Sequence, residues 1–260
     1  MNKFSLFFKF TYILFISLGF FMFKNPNDLN LSETFCNISK NHIFGCDRLG
    51  RDLLTLFCYG SIVTLILAIP SKIFSIIISL ILSLLTYSGG RFMGLLISSL
   101  SSVFLSIPSL LIALVVIYSL GKNFEVFLLS IVLSDWAMSY ETIHSKISEI
   151  SNSGYVYVSK NFGASNFYVF KNHIFPQLIP ILNILFITGI PSIIMTIAIY
   201  SYMGINFGSD TFGPGLGEQI SFSRDYFHKS PISVVLPIIG IFLLVNVFNF
   251  QEIKKKNIVN

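Results

Sequence analysis

Six apolar stretches, each close to the ~20 residues that a helix needs to cross a bilayer, leave this chain little choice of solvent. They run over Phe7–Phe23, Cys58–Tyr87, Phe92–Tyr118, Phe124–Tyr140, Leu178–Tyr202 and Ile232–Phe250. Only 11% of the 260 residues are charged and the mean hydropathy is +0.76, whereas a soluble domain carries about 25% charged residues. So few charges cannot cover a water-facing surface. Backbone polar groups in lipid must be satisfied within a segment or a closed barrel, and stretches of this length satisfy them as helices. The expected fold is therefore an all-α membrane protein of about six transmembrane helices, read as a single domain over residues 1–260. Prolines interrupt several stretches: Pro70-Ser71-Lys72 the second, Pro108 the third, Pro180 and Pro191 the fifth, Pro237 the sixth. Each marks an expected kink or break.

The first stretch has the basic start and apolar run of a signal peptide, but Lys24-Asn25-Pro26 follows with no small-x-small cleavage pattern, so an uncleaved signal anchor is expected. Basic residues favour neither side of the membrane strongly, but Lys3 and the Lys254-Lys255-Lys256 run agree with both termini being cytoplasmic, which is the expectation. The net charge of +5 sits near span ends, which points to anionic membrane lipid rather than nucleic acid as a partner. There is no GxxxxGK[ST], HExxH or GxSxG anywhere, which removes the usual nucleotide-loop and hydrolase readings. Cys36, Cys46 and Cys58 form no CxxC pair. Three unpaired thiols are the simpler expectation, with a Cys36–Cys46 disulfide in one extracytoplasmic loop as the alternative. With His42 they match no zinc spacing.

Two polar segments carry more pattern than membrane loops need. One, within a loop of about residues 141–176, is Tyr155–Pro176, YVYVSKNFGASNFYVFKNHIFP. It reads as a small helix-turn-helix with Gly163 at the turn and Phe162, Phe167, Tyr168 and Phe170 as apolar anchors for a protein groove. The other runs from His42 to Gly60 and holds Gly45, Asp47, Gly50, Arg51 and Asp52. Its charges alternate in sign, and local pairing is expected to hold a surface helix of about residues 42–60. On that view Arg51→Ala has a mild effect, since exposed pairs contribute only about 0–1 kcal/mol.

Taken together, these segments resemble the permeases of the dipeptide/oligopeptide/nickel ABC importer family. The His42–Gly60 stretch is similar to that family's HPLGTDxxGRDxLSRLLYG signature, with Ile43 for its proline and Cys46 for its threonine. Tyr155, Val156, Gly163, Ala164, Ser165 and His173–Pro176 follow its YVEAAxxxGAS…HILP coupling loop, with Tyr157 in place of the glutamate. Tyr202–Ile205 through Gly213–Gly217 resembles its glycine-rich loop after the fifth span, without the tryptophan. Further departures are Glu141 and His144 after Trp136, and serines over Ser98–Ser102.

The resemblance implies a type I importer permease with a cytoplasmic coupling helix in a prokaryotic inner membrane. It implies one half of a translocation pathway for peptides or nickel, with no catalytic residue. No cofactor is expected on this chain, ATP being bound by separate ATPase subunits. The other implied partners are a second homologous permease and an extracytoplasmic substrate-binding protein. Tyr155, Tyr157, Gly163, Ala164, Ser165, Phe167 and Pro176 are the implied ATPase-coupling residues; His42, Gly45, Asp47, Gly50, Arg51 and Asp52 form the implied outer signature. The competing reading, a secondary transporter or channel subunit, needs ionisable groups inside the membrane. Lys72 and Asp135 are its candidates, each placed near a span end.

Overall fold

The structure, a computed structural model, describes residues 3–22, 25–205 and 213–249, with side chains at 9–21, 25–205 and 213–248. The described residues are helical, apart from turns and one isolated bridge between Cys46 and Asp52. The long elements are α1 (Lys3–Met22), α2 (Leu53–Ser88), α3 (Gly90–Ser106), α4 (Ser109–Leu120), α5 (Phe124–Ser151), α8 (Phe175–Tyr202) and α10 (Ile232–Asn249). Short helices α6 (Gly154–Asn161), α7 (Asn166–Val169) and α9 (Leu216–Ser223) lie between them. A π turn over Phe170–Ile174 joins α7 to α8. The ends of the first and sixth expected spans, Phe23 and Phe250, with Lys24, residues 206–212 and Lys254–Lys256, lie outside the described residues.

Helices α2, α5 and the run Asn166–Tyr202 are long and apolar enough to cross a membrane, while Lys9–Phe21 and Ile232–Phe248 are shorter apolar helices. The third expected span is two helices: α3 and α4 meet at 95°. Pro108 explains the break. Its ring pushes the preceding residue out of the helical region, and Ile107 is extended at φ −92°, ψ 129°. The Pro108 carbonyl then accepts from the N–H groups of Leu111 and Ile112 to start α4. Pro70, by contrast, breaks nothing, and α2 runs through it for 36 residues. A proline removes one ladder bond, which a long helix held by its neighbours tolerates. The helix of the fourth expected span runs on to Ser151, so Asp135 sits inside a helix rather than at its end.

The chain divides into two compact units, one of residues 1–69, 122–125 and 190–260, the other of residues 70–121 and 126–189. In the first, Gln219 on α9 donates its amide to the carbonyls of Leu56 (2.6 Å) and Pro214 (3.0 Å). In the second, Ser71, Ser75, Ser79 and Ser83 form a fully buried stripe one turn apart on α2. Such small side chains let helices approach closely, and Ser79 donates across to the Trp136 carbonyl of α5 at 2.7 Å. Trp136, Ala137 and Tyr140 pack with Ile97 of α3 in the same core.

Candidate functional site

The hairpin Gly154–Ile174 is built from local signals. Helix α6 ends in a Schellman motif: Gly163 N–H donates to Lys160 O (2.9 Å) and Ala164 N–H to Ser159 O (3.1 Å). That geometry needs a left-handed residue, and Gly163 has φ +83°. Two residues on, Ser165 caps α7, its side chain accepting from Tyr168 N–H at 3.2 Å. The Gly-Ala-Ser triplet is thus a stop, a spacer and a start. At the exit, His173 Nε2 bonds Ser159 Oγ at 3.1 Å, and Gln177 donates to the Tyr155 hydroxyl at 2.7 Å. The π turn carries His173 and lies where α7 meets α8; such turns concentrate at functional sites.

One side of this hairpin is nailed to the protein. Val156, Val169, Ile174 and Leu178 join Ile143, Ile147 and Ile150 of α5 in a buried cluster, with Ala164, Phe170 and Tyr87 packed against it. The Lys160 ammonium lies 5.6 Å from the centre of the Tyr87 ring. The opposite side is bare: Phe162 is 89% exposed and Phe167 73%, and Tyr155, Tyr157, Val158 and Tyr168 are exposed beside them. Of the coupling residues expected from sequence, Tyr155, Tyr157, Gly163 and Phe167 are exposed here. Ala164 faces the core, Ser165 is the cap, Tyr155 anchors the exit and Pro176 lies in the first turn of α8. A rigid platform that exposes large aromatics is a surface for protein contact.

The His42–Asp52 stretch takes a different form from the helix expected there. Residues 42–52 are turns, and α2 begins at Leu53. Glycine is the reason: Gly45 and Gly50 have φ +80° and +73°, which no helix accommodates. Asp47, 6% exposed at its side chain, accepts from the N–H groups of Leu49 (2.8 Å) and Arg51 (2.9 Å) through Oδ1. Its Oδ2 receives both Nε and a terminal nitrogen of Arg51, each at 2.7 Å. The expected exposed pairing is therefore a buried, two-point pair. Asp52 caps α2, accepting from Thr55 N–H (2.8 Å) and Oγ1 (2.9 Å) through Oδ2, while its Oδ1 meets His42 Nδ1 at 3.1 Å.

A disulfide joins Cys36 to Cys46, so of the three thiols expected only Cys58 is free. Donor atoms of Cys36, His42 and Cys46 lie within 4.8 Å of one another, but sulfurs bonded to each other offer no thiolate to a metal. Arg48, expected from sequence to join the alternating charges in local pairing, instead stacks on Phe222 (5.2 Å) and Tyr226 (5.4 Å), tying this loop to α9 and the turn after it. The other missed feature is a pair within the membrane stretch: Lys72 Nζ meets Asp135 Oδ2 at 2.7 Å. Only the presence of two isolated charges in apolar runs signalled it.

Long apolar helices joined by a packed hairpin with an aromatic outer side define an integral membrane protein. Residues 75–251 match the model of a family described as binding-protein-dependent transport system inner membrane component, and the chain belongs to that family. It is 26% identical over 85% of its length to the dipeptide transport system permease protein DppC of Alkalihalophilus pseudofirmus, covering 72% of that protein. It is also 26% identical over 92% of its length to the metal-staphylopine import system permease protein CntC of Staphylococcus aureus, covering 83% of it. Its fold resembles that of the MetNI methionine ABC transporter in inward-facing conformations, with a TM-score of 0.62 and 16% identity over 79% of this chain and 96% of that one. The chain is thus an inner-membrane permease subunit of an ABC importer, a transport component and not an enzyme.

Proposed function

We propose that this chain forms one half of a translocation pathway for small peptides or metal complexes, beside a second, similar permease subunit. The hairpin Gly154–Ile174 stands in the cytoplasm with both termini, and the disulfide-closed loop stands outside, where a substrate-binding protein delivers cargo. ATP is bound and hydrolysed by partner subunits, and the hairpin passes their closure to the spans as a rigid lever. The observation that carries this reading is the one-sided hairpin: a buried aliphatic anchor beneath exposed Tyr157, Phe162 and Phe167. Tyr157 stands where the family's glutamate does, and Lys171 is exposed beside the aromatics. The groove that receives them is accordingly apolar with an acidic rim. The substrate class rests on the cargo named for the relatives, dipeptides and metal-staphylopine.

The test combines partners and sidedness. Purified in mild detergent, the tagged chain should bring with it an ATP-binding subunit. A cysteine at Ser165 should resist a membrane-impermeant thiol reagent in intact cells and react in inverted vesicles. Labelling of Ser165→Cys from outside, or purification of the intact chain with no ATP-binding subunit, contradicts the proposal.

A further inference from the structure

Two stripes in the second unit, one exposed throughout and one half-buried at its first member, differ in chemistry. On α2, Ile73, Ile77 and Ile81 recur one turn apart and are all exposed. On α5, the stripe reads Asp135, Met138 and Thr142, positions that share one helix face. Asp135 lies ~17 Å along α5 from its first residue at ~1.5 Å per residue, a distance shorter than the ~30 Å that a hydrocarbon layer spans.

The carboxylate there is arranged unevenly. Its Oδ2 collects the Lys72 ammonium (2.7 Å) and the Ser75 hydroxyl (2.5 Å), with Ser139 Oγ at 3.4 Å. Lys72 also donates to Ser139 Oγ at 3.0 Å. Oδ1 accepts no hydrogen bond from the described residues. The Lys72 side chain is 4% exposed, whereas that of Asp135 is 21% exposed. Gly189 on α8 makes the room: a Cβ there would overlap Cε of Lys72. Lys72 is thus a fixed internal cation, and the carboxylate it neutralises keeps one oxygen turned outward.

A carboxylate oxygen turned toward lipid is strongly disfavoured, and intramembrane ionisable groups face water-filled paths or other protein. We propose that the Asp135–Met138–Thr142 face of α5 lines the aqueous pathway, and that Lys72 is the counter-ion that lets Asp135 stand there without trapping cationic cargo. Conduction needs polar contacts weak enough to leave. A neutralised carboxylate offers a hydrogen-bond acceptor to peptide N–H and ammonium groups while carrying little net charge. Lys72 is a positioning residue in this scheme and Asp135 the residue that meets cargo. The inference rests on the importer reading, since it supposes a pathway.

Thiol chemistry tests it in the complete importer, in membrane vesicles with Cys58→Ser as background. Cysteines at Met138 and Thr142 should react with a charged, impermeant methanethiosulfonate about ten-fold or more faster than one at Ile77, because charged reagents and thiolates meet only in water. With Lys72 present, cationic and anionic reagents should modify Met138→Cys in nearly the ratio found for a free thiol. Lys72→Gln should raise the cation-to-anion ratio several-fold, Asp135→Asn should lower it, and the double variant should restore it. The two single changes act in opposite directions, so the test survives if one of them fails to accumulate. Equal reactivity at Met138 and Ile77, or a ratio indifferent to Lys72 and Asp135, overturns the proposal. Such a result with the ATP-binding subunits still co-purifying counts against this inference alone, whereas loss of those subunits from the parent complex counts against the importer reading.

Discussion

Gly163→Asp is expected to leave the subunit in the membrane at normal abundance and to strip it of its ATPase partners. A Cβ at Gly163 meets nothing within 4 Å, so the substitution disturbs no packing inside the chain. The local cost is the left-handed backbone at φ +83°, about 1 kcal/mol for a residue such as Asp that tolerates it comparatively well. The larger effect lies in the partner groove, where an unpaired buried charge costs about 3–5 kcal/mol. At about 1.4 kcal/mol per factor of ten, retention of the ATPase falls by about two orders of magnitude or more, and substrate-stimulated ATP hydrolysis falls with it. Gly163→Asn separates the two causes: it meets the same backbone demand without the charge and should retain most of the binding. Co-purification at matched membrane abundance is the measurement. Full retention by Gly163→Asp would remove Gly163 from the contact surface.

Arg51→Ala is expected to loosen the Asp47–Asp52 turns, which follow the disulfide-closed loop, substantially. The sequence-based expectation was a mild effect from an exposed pair, and burial reverses it. Asp47 keeps its two backbone donors in the variant but loses both guanidinium bonds, and removing one partner of a buried pair costs about 3 kcal/mol or more. Arg51→Lys keeps the charge but not the two-point geometry and should fall between the two. Limited proteolysis of intact cells reads the result as faster cleavage at Lys40 or Arg48 than in the wild type. A variant as resistant as the wild type, with wild-type transport, would show that the pair contributes little to the loop.

The parts that were legible in the sequence are those with short-range causes. Gly163 and Ser165 announced a turn, and the structure resolves them into a Schellman stop and a helix cap two residues apart. Apolar runs announced the long helices because lipid demands their length. The GRD segment announced a special place but not its form. Its alternating charges suit a helix, and two glycines of positive φ overrule them. Pro70 and Pro108 look alike in sequence, yet α2 absorbs one while the chain bends by 95° at the other. Each ring removes one ladder bond and crowds the residue before it, and the residues on either side do not announce which helix absorbs that. Lys72 and Asp135 are separated by 63 residues, so only the packing of α2 on α5 brings them together.

On the proposed function, the bare side of the Gly154–Ile174 hairpin seats in an ATP-binding subunit. A photo-crosslinking amino acid at Phe162 or Phe167 tests this most directly, because both side chains stand clear of their own chain. On irradiation in intact cells, each should form a single adduct with an ATP-binding subunit, while the same group at Phe92, exposed on α3, should not. Adducts with an extracytoplasmic binding protein, or none with an ATP-binding subunit in a membrane that holds the assembled importer, would contradict the account.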